Sequence, residues 1–406
     1  MNRLTRKVAV FACVVLLVAA GGCGSNKKDS GAKGSSTATK EAIKMGAIFD
    51  LSGGTKDVGT PYSEGIRDYI DFRNKAGGVE GHQIELSWQD FGYKVDQGTQ
   101  LYSQYVSQGA VSFMGWGTAD TEALRPRVTS DQIPFMSASY AATLADPKVT
   151  PYNFFPGVSY SEQMRIALKY ISDQNKGKKV EVAVFHHDSA FGRSPLDDGT
   201  KYIADNKLNI GFKPYPMATG ATDFVAQLQQ AKAQGAKYVI IQNVPTPSAK
   251  LAQNIAAQKL DMQIVCMNWC GDEIYVSLAG PAAEKTIAVM PFAPPSAGDL
   301  AGLKEISDYL KTKGADINAK GLRYVQGWIT TATMAQGISN ALTAAGDKKI
   351  TGPDIKAGLE KVTDFKTGGV SQPISFSAES HAGLKEAPLY QVQSGKWTKL
   401  TEPLKA

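Results

Sequence analysis

Strands and helices alternate along this sequence in two successive series, which predicts an α/β fold of two doubly wound, Rossmann-like lobes. Length agrees: about 365 residues remain once an export segment and a polar tether are set aside, more than a single core usually serves. Composition agrees too, since 43% hydrophobic and 20% charged residues describe a globular chain.

The N-terminus reads as an export signal. Arg3, Arg6 and Lys7 precede the apolar run VAVFACVVLLVAA (Val8–Ala20), which is short for a membrane span, and AGGC (Ala20–Cys23) follows it. Residues 1–22 are therefore expected to be a signal peptide. Residues 23–42 are rich in Gly, Ser and Lys, bury nothing, and form a flexible tether.

The first series opens with strand Ile43–Leu51 (IKMGAIFDL), followed by a loop over Ser52–Ser63 and a helix whose apolar face carries Ile66, Tyr69, Ile70 and Phe72. Gly77-Gly78 stops that helix at the left-handed position, and QIELSW (Gln83–Trp88) alternates as the next strand. A helix over Gln97–Gln108, strand Ala110–Gly115, a helix over Asp120–Ser130 and strand Ile133–Met136 continue the pattern. The second series runs through helix Ser161–Gln174, strand Val180–Phe185, helix Ser194–Asn206, strand Leu208–Phe212, helix Thr222–Gln234, strand Lys237–Gln242, helix Ser248–Gln258 and strand Met262–Cys266. Strand Thr286–Met290 closes it. Three helical patterns (Ala301–Lys313, Val325–Ala345, Asp354–Val362) and short strands near Ile374–Phe376 and Leu389–Gln393 then imply a return to the earlier lobe.

Chemistry-bearing motifs are sparse. His186-His187-Asp188 leaves a strand with alternating faces, and only His82 and His381 exist elsewhere, so no metal shell is expected. No Ser/His/Asp order, cysteine nucleophile motif or paired-carboxylate spacing stands out, so neither an enzyme nor a cofactor is expected. The net charge of +6 includes basic residues of the signal and tether, and no basic stripe offers itself to nucleic acid. GWGTAD (Gly115–Asp120) lacks the third glycine of a dinucleotide fingerprint.

Ligands of open α/β sheets collect beyond the carboxyl ends of the strands. That rule nominates Ser52-Gly53-Gly54, Phe91-Gly92-Tyr93, the GWGTAD loop, Ser137–Tyr140 and, in the second lobe, Phe191, Gln242-Asn243 and the stretch VCMNWCGD (Val265–Asp272). Gly117 and Thr118 begin a helix whose first amides suit a carboxylate, and Trp116 offers an aromatic wall. Cys266 and Cys270 lack further soft ligands for zinc and have one residue too many between them for a redox CxxC pair. In an oxidising compartment they are expected to form a disulfide, provided the chain turns at Met267–Trp269, because a straight strand would hold them too far apart.

Seven stretches in order resemble the type I periplasmic binding proteins, specifically the leucine/isoleucine/valine-binding family of ABC-transporter substrate-binding lipoproteins. They are IKMGAIFDLSGG (Ile43–Gly54), NKAGGVEGHQIEL (Asn74–Leu86), IPFMSASYAATL (Ile133–Leu144), NFFPGVSYSEQ (Asn153–Gln163), HHDSAFGRSPLDD (His186–Asp198), AGPAAEKTIAVMPF (Ala279–Phe292) and LYQVQSGKW (Leu389–Trp397). The resemblance implies lipidation of Cys23, three hinge crossovers near Pro156–Ser159, Pro291–Pro294 and Gly368–Pro373, and a ligand trapped between the lobes by hinge closure. Lobe one would comprise 43–157 plus 292–370, and lobe two 158–291 plus 371–406. It also implies a monomer anchored by lipid to the outer face of a bacterial membrane and served by ABC permease subunits.

Carried over residue by residue, the family's carboxylate grip falls on Ser139 and Ala141, with Tyr140 beside them, and Ala141 lacks the hydroxyl many relatives have. The family's tyrosine is Phe191 here, and its ammonium-binding acid falls near Trp269, three residues before Asp272. Tyr93, Trp116, Gly117, Thr118, Ser139, Tyr140, Phe191, Asn243, Trp269 and Asp272 are thus the expected ligand residues. Two ligand classes stay open: a branched-chain or other hydrophobic amino acid, or an aromatic or aliphatic carboxylate without ammonium. A sensory partner in place of a permease is the alternative for the output.

Overall fold

The computed structural model describes residues 40–346 and 348–406; the expected export signal, the expected lipidation site Cys23 and nearly all of the expected tether lie outside them. The first series is β1 (Ile43–Phe49), α1 (Lys56–Lys75), β2 (Ile84–Asp90), α2 (Val95–Ser107), β3 (Ser112–Met114), α3 (Thr118–Asp131), β4 (Phe135–Met136) and β5 (Asn153–Val158). The second is α4 (Tyr160–Gln174), β6 (Val180–His187), α5 (Ala190–Arg193), α6 (Leu196–Asp205), β7 (Ile210–Met217), α7 (Val225–Ala233), β8 (Ala236–Gln242), α8 (Pro245–Ala257), β9 (Gln263–Cys266), α9 (Glu273–Ala279) and β10 (Ile287–Val289). Then come α10 (Ala301–Thr312), α11 (Ile317–Ala345), α12 (Gly352–Glu360), β11 (Ala382–Leu384), β12 (Leu389–Gln393) and β13 (Lys396–Lys399).

Two sheets result. The first has the order β11-β5-β4-β3-β1-β2, and the second β13-β12-β10-β9-β8-β6-β7. All pairs of the first sheet are parallel, whereas β12 pairs antiparallel with both β10 and β13. The central strands β3, β4 and β5 are buried along their whole length, as strands covered by helices on both faces must be. Helix α11 returns to the first sheet's side and lies directly against α1. Their contact depends on two glycines: a Cβ at Gly65 would stand 2.1 Å from the Tyr324 carbonyl oxygen, and one at Gly327 2.1 Å from that of Tyr62.

Three expectations need correction. The loop expected over Ser52–Ser63 ends at Thr55, because Val58, Tyr62 and Ile66 recur one turn apart and all bury, extending α1 back through Pro61. The buried run NFFPGV is a full strand, β5, not merely a crossover. The third crossover is later than expected: β11 pairs with β5, and Phe155 N donates to the His381 carbonyl at 3.1 Å. Residues 382–384 therefore extend the first sheet, and the chain passes to the second only between Leu384 and Leu389.

Candidate functional site

The carboxyl ends of β1 to β4 face those of β6, β8 and β9 across a cleft, and each edge is fixed by a local polar device. At the end of β1, buried Asp50 accepts the amides of Gly53 (2.6 Å) and Thr55 (2.8 Å) and the Thr55 hydroxyl (2.7 Å). That hydroxyl in turn accepts the Trp116 indole N–H at 2.9 Å, so the turn after β1 aims the indole at the end of β3. Beyond β2, Asp90 accepts the amides of Leu51 and Gly92, and Tyr93 follows with φ of 56°.

Gly117 is extended, and a Cβ there would lie 2.2 Å from the Tyr93 ring. Thr118, first residue of α3, places its hydroxyl 2.7 Å from that of Ser139. Asp120, one turn in, accepts the Gly117 amide at 3.0 Å; burial pushes its carboxyl up to about 8.

The facing wall comes from the second lobe. Tyr160 starts α4 under a Ser159 cap, and its hydroxyl accepts the Trp269 indole N–H at 2.9 Å. Phe191 packs edge-on to Tyr160, 5.4 Å between centroids. The stretch after β9 turns as the cysteine pairing requires: Cys270 N donates to the Met267 carbonyl at 3.0 Å, the Cα atoms of Cys266 and Cys270 are 5.2 Å apart, and a disulfide joins them. The turn carries Trp269 into the cleft, with ring centroids 5.7 Å from Trp116, 5.8 Å from Tyr62 and 5.9 Å from Tyr140.

These walls line a narrow cavity of about 20 Å³. Of the expected residues, Tyr93, Trp116, Gly117, Thr118, Phe191 and Trp269 line it; Thr55, Val58, Ala138, Tyr160 and Val244 complete it. Ala138 lies in the nominated Ser137–Tyr140 loop, whereas sequence reasoning missed Thr55, Val58, Tyr160 and Val244, although Tyr160 lies inside a stretch that carried the resemblance. No lining side chain is charged. Ser139 and Tyr140 stand behind the lining, Ser139 bonded to Thr118 and Tyr140 accepting from Gln326 Nε2 at 2.6 Å. Asn243 lines a separate, outer space.

Asp272 is the clearest departure from the expected site. It caps α9, accepting Tyr275 N at 2.9 Å, and its second oxygen lies 3.1 Å from Arg323 Nε. Arg323, 1% exposed on α11, also donates to the carbonyls of Asn268 (2.5 Å) and Gly271 (2.8 Å) and to Gln326 Oε1 (2.7 Å), with its guanidinium 5.1 Å from the Trp269 ring. Burial pushes Asp272 up to about 7 and Arg323 opposes that rise. The carboxylate expected to meet a ligand is thus spent on holding the loop that carries Trp269. His186 and His187 are also engaged locally, by the His187 carbonyl (3.0 Å) and the Ser189 hydroxyl (2.8 Å). Among the described residues no cluster of three His, Cys, Asp or Glu side chains forms a metal site, and no helix is long and apolar enough to cross a membrane.

Two parallel-rich sheets with an aromatic cleft at their carboxyl edges define a hinged solute-binding protein. The sequence model described as periplasmic binding protein matches residues 42–396, and the chain belongs to that family, in its type I leucine/isoleucine/valine-binding branch. Its family binds solutes and is not an enzyme family. One relative is Leu/Ile/Val-binding protein homolog 2 of Brucella abortus, 22% identical over 87% of this chain and 91% of that protein. Among solved structures, a branched chain amino acid ABC transporter protein from Thermus thermophilus with bound valine aligns with a TM-score of 0.84 at 24% identity, covering 91% of this chain and 97% of that one. A fatty acid ABC transporter substrate-binding protein from Thermomonospora curvata aligns with a TM-score of 0.80 at 18% identity, over 91% and 93% of the two chains.

Proposed function

We propose that the protein is a lipid-anchored, extracytoplasmic solute-binding component of an ABC importer, and that its ligand is a small organic acid with an aromatic or aliphatic body and no ammonium group. One observation carries this reading: no charged side chain lines the aromatic cavity. A buried ammonium needs a charged or richly hydrogen-bonding partner; of the neighbouring acids Asp50 is bonded to its own turn and Asp272 to Arg323, while Asp120 caps α3 through one oxygen, holds the other buried without a partner, and is pushed by burial toward its neutral form. A carboxylate has better support, from the first amides of α3 and the Thr118 hydroxyl. Trp116, Tyr160, Phe191 and Trp269 suit the apolar body.

A hydrophobic amino acid is the second reading, favoured by relatives named for leucine, isoleucine and valine. The fold itself is neutral, since neighbours of similar TM-score are named for valine and for fatty acid. Titration calorimetry against leucine, valine, benzoate, phenylacetate and octanoate separates the two. Binding of the acids without the amino acids is expected; binding of leucine or valine with no response to the acids overturns the reading.

A further inference from the structure

The inner cleft is filled by the protein itself. About 20 Å³ is free between its walls, room for about one water molecule and too little for any amino acid or organic acid. The side chain that fills the middle is Trp269, which is 4% exposed and reaches from the loop after β9 to residues built around the other sheet. Tyr62 of α1 meets its ring edge-on at 64°, Trp116 after β3 is tilted to it by 57°, and Tyr140 after β4 lies nearer parallel at 34°. The Arg323 guanidinium lies 5.1 Å from the same ring, and the indole N–H is donated to the Tyr160 hydroxyl at 2.9 Å. Rings on three sides, a cation near the face and one acceptor for the N–H are the contacts by which a protein grips an aromatic ligand.

The indole is separable from the loop that carries it. That loop is fixed through its backbone and sulfurs: the Cys266–Cys270 disulfide closes it, Gln163 Oε1 accepts the Asn268 amide at 2.9 Å, and Arg323 binds the Asn268 and Gly271 carbonyls. The ring itself has a single hydrogen bond, to Tyr160 at the start of α4, on its own side of the cleft. Its ring contacts to Trp116 and Tyr62 belong to the opposite side. Widening the cleft therefore draws Trp269 away together with Tyr160 and leaves behind a socket walled by Trp116, Tyr62 and Tyr140.

We propose that Trp269 is an internal occupant of the cleft, whose indole fills this socket and must be displaced by any ligand that the cleft encloses. The displaced indole then flanks the ligand instead of filling its place. Trp269 thereby determines specificity: a ligand is retained only if its contacts with the socket outweigh those of the indole, and its apparent affinity falls by the share of molecules in which the indole is seated. The inference concerns the socket and holds for an organic acid and for an amino acid alike.

Free indole tests this on the full chain without reference to the natural ligand. Trp269→Ala removes the occupant and leaves the socket, so calorimetry is expected to show indole binding to the variant at least about ten-fold more tightly than to the wild type. In solution scattering the variant's radius of gyration is expected to exceed that of the wild type and to return to it when indole is added. Trp269→Phe keeps a ring in the socket and is expected to fall between the two in both measurements. Should Trp269→Ala fail to fold, Trp269→Phe against the wild type decides by the same criteria. Equal indole affinity in wild type and variant, or a radius that indole does not restore, overturns the proposal. Lower thermal stability with neither change does so too, because Trp269 is then a packing residue only. None of these outcomes bears on whether the natural ligand carries an ammonium group.

Discussion

Gly117 marks the point where the cleft has no room for a side chain. A Cβ there would meet the Tyr93 ring at 2.2 Å and Asp120 Oδ1 at 2.7 Å; Asp120 is buried and Tyr93 half-buried, so the tyrosine is the group that can yield. Gly117→Ala is therefore expected to push Tyr93 off the cavity wall, costing about 1–3 kcal/mol of stability and at least ten-fold in ligand affinity. Thermal unfolding and calorimetry read the two effects, and an unchanged affinity would show that Tyr93 is not part of the wall. Three residues on, Asp120 gives a pH signature. Burial raises its carboxyl to about 8, above its value in the unfolded chain, so the folded state favours the protonated form. Its linkage term is therefore most favourable below about pH 4 and weakens as pH rises toward about 8. An anionic ligand at the start of α3 meets no negative charge while Asp120 is protonated. Ligand affinity should stay level from pH 6 to 7 and fall above about pH 8, by up to ten-fold per unit, and Asp120→Asn should abolish the fall. A wild-type profile that stays flat to pH 9.5 would contradict this.

At the scale of elements, the loop from Cys266 to Asp272 is held three ways: by its disulfide, by Gln163 Oε1 accepting Asn268 N at 2.9 Å, and by Arg323. Because the covalent loop is short, its loss should cost only about 2 kcal/mol in the unfolded-chain account. The Cys266→Ser/Cys270→Ser variant is thus expected to unfold at lower denaturant yet lose no more than a few-fold in affinity, since two anchors still seat Trp269. A hundred-fold loss would show the disulfide to be the main positioning device. Much of this architecture was legible beforehand. Alternating apolar runs located both lobes, and the strand-end rule reached seven of the cavity's lining residues, because strand ends and glycine-rich turns are local signals. Asp272 was misread because its partner is remote: Arg323 lies 51 residues on, in a helix expected to begin at Val325 that actually starts at Ile317 and kinks at Gly321, φ 75°. β11 was missed for a related reason. Its three residues carry no periodicity, and only pairing with β5 makes them a strand.

At the scale of the whole molecule, the lobes meet at three levels. Arg323 joins α11 to the Trp269 loop in the interior, the Trp116–Trp269 pair spans the cavity, and Asp57 reaches Thr246 at the mouth. These contacts differ in what they do to opening. Arg323 is fully buried and supports both the loop and Trp269, so removing it would disturb the folded lobes as well as their closure. The Asp57 bonds lie at the half-exposed mouth, remote from the folded interior of either lobe, so a hinge motion that widens the cleft must break them without disturbing the lobes themselves. A contact made only in the closed state biases the open–closed equilibrium by its net worth, about 0.5–1.5 kcal/mol for one such bond. Asp57→Ala is accordingly expected to enlarge the ligand-free radius of gyration in solution scattering and to weaken ligand binding about two- to ten-fold, while the saturated complex scatters like the wild type. If the ligand-free radius is unchanged, closure is governed at the interior contacts around Arg323 and not at the mouth.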